Sequence, residues 1–231
     1  MSLSNQVNGL WIKGALSPLE ILTVKSFIAN GYEFYLWTYD DLNHYSHIEG
    51  VIVKNAREII LEEQVFSYNH SNQFGHGKGS FAGFSDVFRY QLLYLNGGWW
   101  VDMDVTCLKR FEFNTPYVFR KSKHQSDFVV GNIMHVPKGS NLMKKCFDEA
   151  VQSVHAENQD WMLPITILNK NIQEENLSQY IFSFSNEDSW PTVSQLLTDI
   201  QYPENWQAIH WMNEEFRRIG IPKDIYLKES L

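Results

Sequence analysis

Phe84-Ser85-Asp86-Val87-Phe88-Arg89-Tyr90-Gln91-Leu92-Leu93-Tyr94-Leu95-Asn96-Gly97-Gly98-Trp99-Trp100-Val101-Asp102-Met103-Asp104 is the stretch on which the fold turns. Ser85 reads as the cap of a helix over 86–95 that is apolar nearly all round through Val87, Phe88, Leu92, Leu93 and Leu95. A helix of that kind is buried. Asn96-Gly97-Gly98 supplies the stop, and 99–106 continues as a strand. Alternation along this strand puts Trp100, Asp102, Asp104 and Thr106 on one face and Val101, Met103 and Val105 on the other. Two carboxylates about 7 Å apart on one strand face repel each other unless a cation stands near. Carboxylate oxygens favour hard divalent ions such as Mg²⁺ or Mn²⁺. Two surface aspartates at a solvated strand end are the plain alternative. Asp86 and Arg89, at i and i+3, read either as an ordinary intrahelical ion pair or as charges on a buried helix that require a partner or a ligand. Helix, turn and strand together bring Asp86, Arg89, Asp102 and Asp104 toward one pocket.

On the N-terminal side, 7–12 is a short apolar run. Ser17-Pro18-Leu19-Glu20 then gives an N-cap, a proline at N1 and a glutamate at N3, the signature of a capping-box helix start. Ile21, Leu22, Val24, Phe27 and Ile28 form its buried face, Gly31 stops it, and the aromatic-rich 32–39 reads as a strand. A further strand over 51–53 and a helix over 56–63 complete an alternating α/β layer structure. The polar segment 67–83 is too long for a mere connector and reads as a functional loop. Its Gly75-His76-Gly77-Lys78-Gly79-Ser80 fails as a phosphate loop, because the first glycine is missing and Gly79 stands where Ser or Thr is required. Downstream, 117–120, 128–136 and 180–184 read as strands, and 141–154 and 164–172 as helices. The last motif is His210-Trp211-Met212-Asn213-Glu214.

Composition sets the class. At 231 residues with 44% hydrophobic and 20% charged residues, the chain has a real core and one domain over 1–231 as its simplest division. Twenty-seven acidic against 19 basic side chains give a net charge of −8, which disfavours nucleic acid and anionic membranes as partners. Two cysteines, Cys107 and Cys146, exclude a disulfide scaffold and fit a reducing cytoplasm. No stretch approaches the roughly 20 apolar residues of a membrane span, and the first residues are too polar for a signal peptide.

The 84–104 stretch resembles the signature of the DXD glycosyltransferases of the sugar-binding-region type, a group that includes glycosyltransferase family 32 and the large clostridial glucosylating toxins. Their pattern is a Ser-Asp-x-x-Arg-x-x-x-Leu helix, Gly-Gly, an aromatic and Asp-x-Asp. Asn8-Gly9-Leu10-Trp11-Ile12 is similar to the family's opening strand, and Ala208-Ile209-His210-Trp211 to its closing segment. The resemblance implies a GT-A fold of α/β class, with a nucleotide-sugar half over 1–106 and an acceptor half with the closing segment over 107–231. It implies that Asp102 contacts ribose and the metal-bound diphosphate, Asp104 binds Mn²⁺ or Mg²⁺, and Asp86 and Arg89 hold the donor sugar. Trp11 would stack on uracil, Trp100 stands where the family usually has Tyr, and Asn132 is similar to a family Asn near the sugar. The C-terminal metal ligand is left open among His210, Asn213 and Glu214.

The reaction so implied is retaining transfer from a UDP-sugar to a saccharide or lipid-linked acceptor. By analogy it serves bacterial surface polysaccharide synthesis, cytoplasmic and at most peripheral to the membrane. Two other readings compete. Asp102-Met103-Asp104-Val105-Thr106 fits the Asp-x-Asp-x-Thr of haloacid-dehalogenase-type phosphatases, although no downstream acidic pair suits Mg²⁺. The 8 tryptophans also fit a non-catalytic carbohydrate-binding relative, against which the intact aspartate pair argues.

Overall fold

Four parallel strands come first, and their carboxyl ends set the place of the site. In the computed structural model, which describes residues 3–123, 126–199 and 201–223, β1 (Gln6–Trp11) pairs with β2 (Glu33–Thr38), and β2 with β3 (Ile52–Asn55). The fourth, β4 (Gly98–Val101), lies on the other side of β1. The sheet continues with β7 (Ser126–Val136), β6 (Val118–Lys123) and β8 (Ile181–Phe182), giving the order β3-β2-β1-β4-β7-β6-β8. Both β4 and β6 run antiparallel to β7.

Side chains alternate across this sheet as the pleat requires. Val7, Phe34, Leu36, Trp99 and Val101 pack with Val24 and Phe27 of α1 (Pro18–Ala29). Leu10, Trp37, Trp100 and Met134 pack on the opposite face against α2 (Ala82–Asn96), α3 (Asn141–Ser153) and α4 (Leu163–Glu174). Three layers result. The burial of α2 nearly all round matches its sequence, with Val87, Phe88, Leu92 and Leu93 in the core and Asp86 and Arg89 buried beside them. Gly97 then turns the chain into β4 with φ +67°, and a Cβ there would stand 2.4 Å from the Lys138 backbone nitrogen, so glycine is required.

Three elements depart from the sequence reading. The helix expected over 56–63 is two short 3-10 turns, Ala56–Glu58 and Glu62–Gln64. The Tyr39 hydroxyl donates to the Ile60 carbonyl at 2.9 Å, taking a backbone group a helix would use, and the Arg57 guanidinium donates to the Tyr39 carbonyl at 2.8 Å, tying the segment to the end of β2. The helix expected from Ser85 starts one turn earlier, where the Ser80 hydroxyl accepts from the Ala82 N–H at 3.2 Å. The single strand expected over 99–106 is broken: β4 ends at Val101, and β5 (Val105–Cys107) pairs antiparallel with β9 (Ala208–His210) in a separate ribbon. Two more helices, α5 (Trp190–Leu196) and α6 (Asn213–Ile219), pack beside that ribbon around Leu19, Ile209, Trp211 and Phe216. Among the described residues, no helix is long and apolar enough to cross a membrane.

Candidate active site

The break after β4 builds the site. The Asp102 N–H donates to the Asn132 carbonyl at 2.9 Å, the last rung between the motif and β7. Beyond it the chain leaves the sheet, because the Thr23 hydroxyl of α1 takes the Met103 carbonyl at 3.0 Å and the Trp211 N–H takes the Asp104 carbonyl at 2.9 Å. The alternation expected from the sequence survives the break, since Val101, Met103 and Val105 all enter the α1-side core. Asp102 and Asp104 are left on the wall of an open cavity of ≈ 1350 Å³ at the carboxyl ends of the parallel strands, the usual position of a ligand in an open α/β sheet.

Asp102 is held from the sheet side. Its Oδ1 accepts from Trp100 Nε1 at 2.7 Å and from Arg89 Nη1 at 3.3 Å. Arg89, with 1% of its side chain exposed, also pairs with Asp86 and donates to the Gly131 carbonyl at 2.6 Å. Gly131 has φ +76°, and a Cβ there would press on the guanidinium at 2.9 Å. The motif helix therefore delivers Asp86 to the cavity wall, whereas Arg89 lies beneath it and does not line it. Burial raises the Asp102 carboxyl pKa, Arg89 opposes the rise, and the nearby Asp104 charge adds to it.

Asp104 is held from the other side of the cavity, by residues far away in sequence. Its Oδ2 accepts from the Asn213 N–H at 2.6 Å and lies 3.4 Å from His210 Nε2. His210 Nδ1 in turn stands 2.7 Å from Asp188 Oδ1. Asp188 pairs with Arg120, which is fully buried and also donates to Asn132 Oδ1 at 3.2 Å. Burial alone would lower the His210 pKa, but the Asp104 and Asp188 carboxylates push it up to about 10. Burial works against the ionised forms of Asp104 and Asp188 too. His210 and the Asn213 amide more than offset it for Asp104, and Arg120 and His210 for Asp188, so both carboxyls lie below the usual range.

Among the described residues, two buried amide atoms at this site have no hydrogen-bond partner: Asn213 Oδ1 and Asn132 Nδ2. Both residues line the cavity. A bare acceptor beside Asp104 and a bare donor beside the motif are costly unless a ligand completes them. No three His, Cys, Asp or Glu side chains of the described residues converge as a metal group. Asp102, Asp104 and Asn213 line the same cavity, and their side chains carry hard oxygen atoms of the kind that could hold Mg²⁺ or Mn²⁺.

Trp11 ends β1 on the cavity wall, its Nε1 tied to the Gly14 carbonyl at 2.9 Å and its ring 5.9 Å from Lys223 Nζ. Trp100 lines the same cavity, is 1% exposed, and donates through its Nε1 to Asp102. The glycine-bearing loop forms another wall and is clasped by α6. His76 Nε2 meets Glu215 Oε1 at 2.8 Å, the Gly77 N–H reaches Glu214 Oε1 at 3.2 Å, and Arg217 Nη1 reaches the Lys78 carbonyl at 2.9 Å. Glu214 thus holds the loop while also lining the cavity. Sequence reasoning missed Arg120 and Asp188 and the contact of the Glu20 carboxylate with Asn213, Oε1 accepting from Asn213 Nδ2 at 3.3 Å. Arg120 and Asp188 carry no local pattern, and Glu20 reads completely as a helix cap.

Residues 23–126, which contain the Asp86 helix and both aspartates, match the family described as glycosyltransferase sugar-binding region containing DXD motif. Among solved structures, the chain is similar to one titled "PaToxG Glycosyltransferase", with TM-score 0.56 and 14% identity over 96% of this chain and 80% of that one. The fold is of the GT-A type. A second structure, that of a transferase mutant with two cysteines changed to serine, is similar at TM-score 0.50 and 10% identity, over 74% of this chain and 85% of that one. No curated protein sequence matches the chain. In the GT-A frame the aspartate motif closes the parallel half of the sheet, and the ribbon of β5 and β9 brings the closing segment to it.

Proposed function

We propose that the chain is a metal-dependent, retaining glycosyltransferase of the family 32 type. It would move a sugar from a UDP-sugar to a saccharide or lipid-linked acceptor in the cytoplasm, as a step in bacterial surface polysaccharide synthesis. The observation that carries this reading is one cavity lined by both motif aspartates and by Asn213 and Asn132, whose buried Oδ1 and Nδ2 have no partner. An oxygen-rich cation site stands beside a lone amide donor suited to a sugar hydroxyl or an anionic oxygen.

Asp102, Asp104 and Asn213 Oδ1 would hold Mn²⁺ or Mg²⁺. His210, at the edge of Asp104, joins them as a ligand only as the neutral ring. When bound, the ion offsets the charge that develops on the departing nucleoside diphosphate. The chain's own residues do the rest. Trp11 offers its ring to the base, Lys13 and Lys223 line the same cavity and counter phosphate charge, and Asp86 and the Asn132 amide orient the donor sugar. Arg89 keeps Asp86 and Asp102 in place. The loop of 69–79 and α6, already joined by His76–Glu215 and Arg217–Lys78, shield the reacting centre from water, whose attack is the competing reaction.

The test is titration calorimetry of UDP with Mn²⁺ and with EDTA. Binding at least tenfold tighter with Mn²⁺ is expected, and equal affinity in the two buffers overturns the reading.

A further inference from the structure

Glu20 is fully buried, and its two oxygens face different elements. Oε2 accepts from the Ser17 N–H at 2.8 Å, the local capping bond its sequence position announces. Oε1 accepts from Asn213 Nδ2 at 3.3 Å and pairs with Lys223, some two hundred residues along the chain. The local bond stabilises α1. The distant one decides which end of the Asn213 amide faces α1.

An ionised carboxylate accepts hydrogen bonds and donates none. Facing Glu20, the Asn213 side chain must present its NH₂ and turn its oxygen away. That oxygen is the buried Oδ1 without a partner, in a residue that lines the cavity and whose backbone N–H donates to Asp104. Were the amide reversed, its oxygen would face a carboxylate and its NH₂ would face the cation site, unfavourable at both ends. We propose that Glu20 is a positioning residue that fixes the polarity of Asn213, so that an oxygen and not an NH₂ is offered to a divalent cation beside Asp104. This rests on the metal-dependent reading above and adds a buried carboxylate on α1 to the residues that reading requires.

The test measures Mn²⁺ affinity directly, by the electron paramagnetic resonance signal of free Mn²⁺ titrated into the full chain with UDP, and does not depend on turnover. Glu20→Gln keeps the shape and the bond to Ser17, but its own NH₂ now faces Asn213, whose amide reverses. Mn²⁺ affinity is expected to fall about tenfold to a hundredfold, the range seen when a residue behind a metal ligand is changed. Asn213→Asp in the Glu20→Gln background restores it to within about threefold of Asn213→Asp alone. A carboxylate at that position accepts from the introduced amide with one oxygen and still offers the other. A merely structural role for Glu20 gives no such rescue, and its absence overturns the proposal, as does unchanged affinity in Glu20→Gln. Asn213→Ala separates the two levels. If it too leaves Mn²⁺ affinity unchanged, the cation reading of the site fails, whereas a loss there with none in Glu20→Gln defeats the role of Glu20 alone. Side-chain amide exchange by NMR needs no variant. With Mg²⁺ and UDP present, the Asn213 NH₂ protons are expected to exchange slowly, and free-amide exchange overturns the proposal.

Discussion

Asp102 and Asp104 are two residues apart and are held by different parts of the molecule. Asp102 is supported by its own neighbourhood: Trp100 two residues before it and Arg89 of the preceding helix bond its Oδ1. Asp104 is supported from a distance, by Asn213, by His210 and, through His210, by Asp188 and Arg120. Local support follows from one continuous stretch of chain, whereas the distant support exists only once the C-terminal third has docked. The pair is therefore one motif in sequence and two structural problems in space.

The largest expected effect tests whether the two aspartates differ as their surroundings do. Asp104→Asn should lower UDP affinity in Mn²⁺ by roughly a hundredfold or more and abolish the difference between Mn²⁺ and EDTA. Asp102→Asn keeps an oxygen for Trp100 and should cost about tenfold, an amount typical of one charge-assisted hydrogen bond. Equal losses in calorimetry would dissolve the comparison.

The next effect probes the support of Asp102. Arg89→Ala leaves two carboxylates without their buried cation, and denaturant unfolding should show a loss of about 3 to 5 kcal/mol. Asp86→Asn keeps the fold. It should weaken a UDP-sugar about tenfold while leaving UDP unchanged, because Asp86 is the member of the pair on the cavity wall. Equal weakening of both ligands would place Asp86 outside the sugar site.

The smallest effect sharpens the electrostatic side of the contrast through a histidine whose pKa is set by burial and not by carboxylates. His135 is buried, its ring 5.0 Å from that of Trp99 and its Nδ1 3.1 Å from the Pro116 carbonyl. Burial holds its pKa down at about 4 against an ordinary 6.5. A base with a depressed folded-state pKa takes up its proton more readily when unfolded, so stability is complete above 6.5 and is lost as pH falls from 6.5 toward 4. The slope is up to about 1.4 kcal/mol per pH unit. His135→Asn should remove that component from the acid limb of a pH-stability curve, and an unchanged limb would refute it.

These contrasts also explain what was legible in the sequence. The strand-helix-strand opening, the all-round apolar helix and its Gly-Gly turn are local patterns, and the structure follows them because neighbours in sequence make the decisive bonds. The helix expected over 56–63 fails for the opposite reason, since Tyr39 and Arg57 bond across the fold and override propensity. Arg120 sits in a strand and Asp188 in a loop, and nothing within a few residues of either marks them as partners of His210. Glu20 hid behind a correct reading, because its capping role accounts for its presence without calling for a second.

The ribbon of β5 and β9 carries a kinetic consequence. It joins Val105 to His210, so closing it fixes a loop of about a hundred residues, which is slow and entropically costly compared with the local pairings of β1 and β2. The seven-stranded sheet has the larger buried cores, which Val105, Cys107 and Ala208 of the ribbon join, and α5 and α6 have the smaller one around Ile209, Trp211 and Phe216. Amides of 208–219 should therefore open to hydrogen exchange well below the global unfolding free energy. The C-terminal wall of the cavity would then come and go as a late-forming, early-melting unit on a scaffold that stays folded.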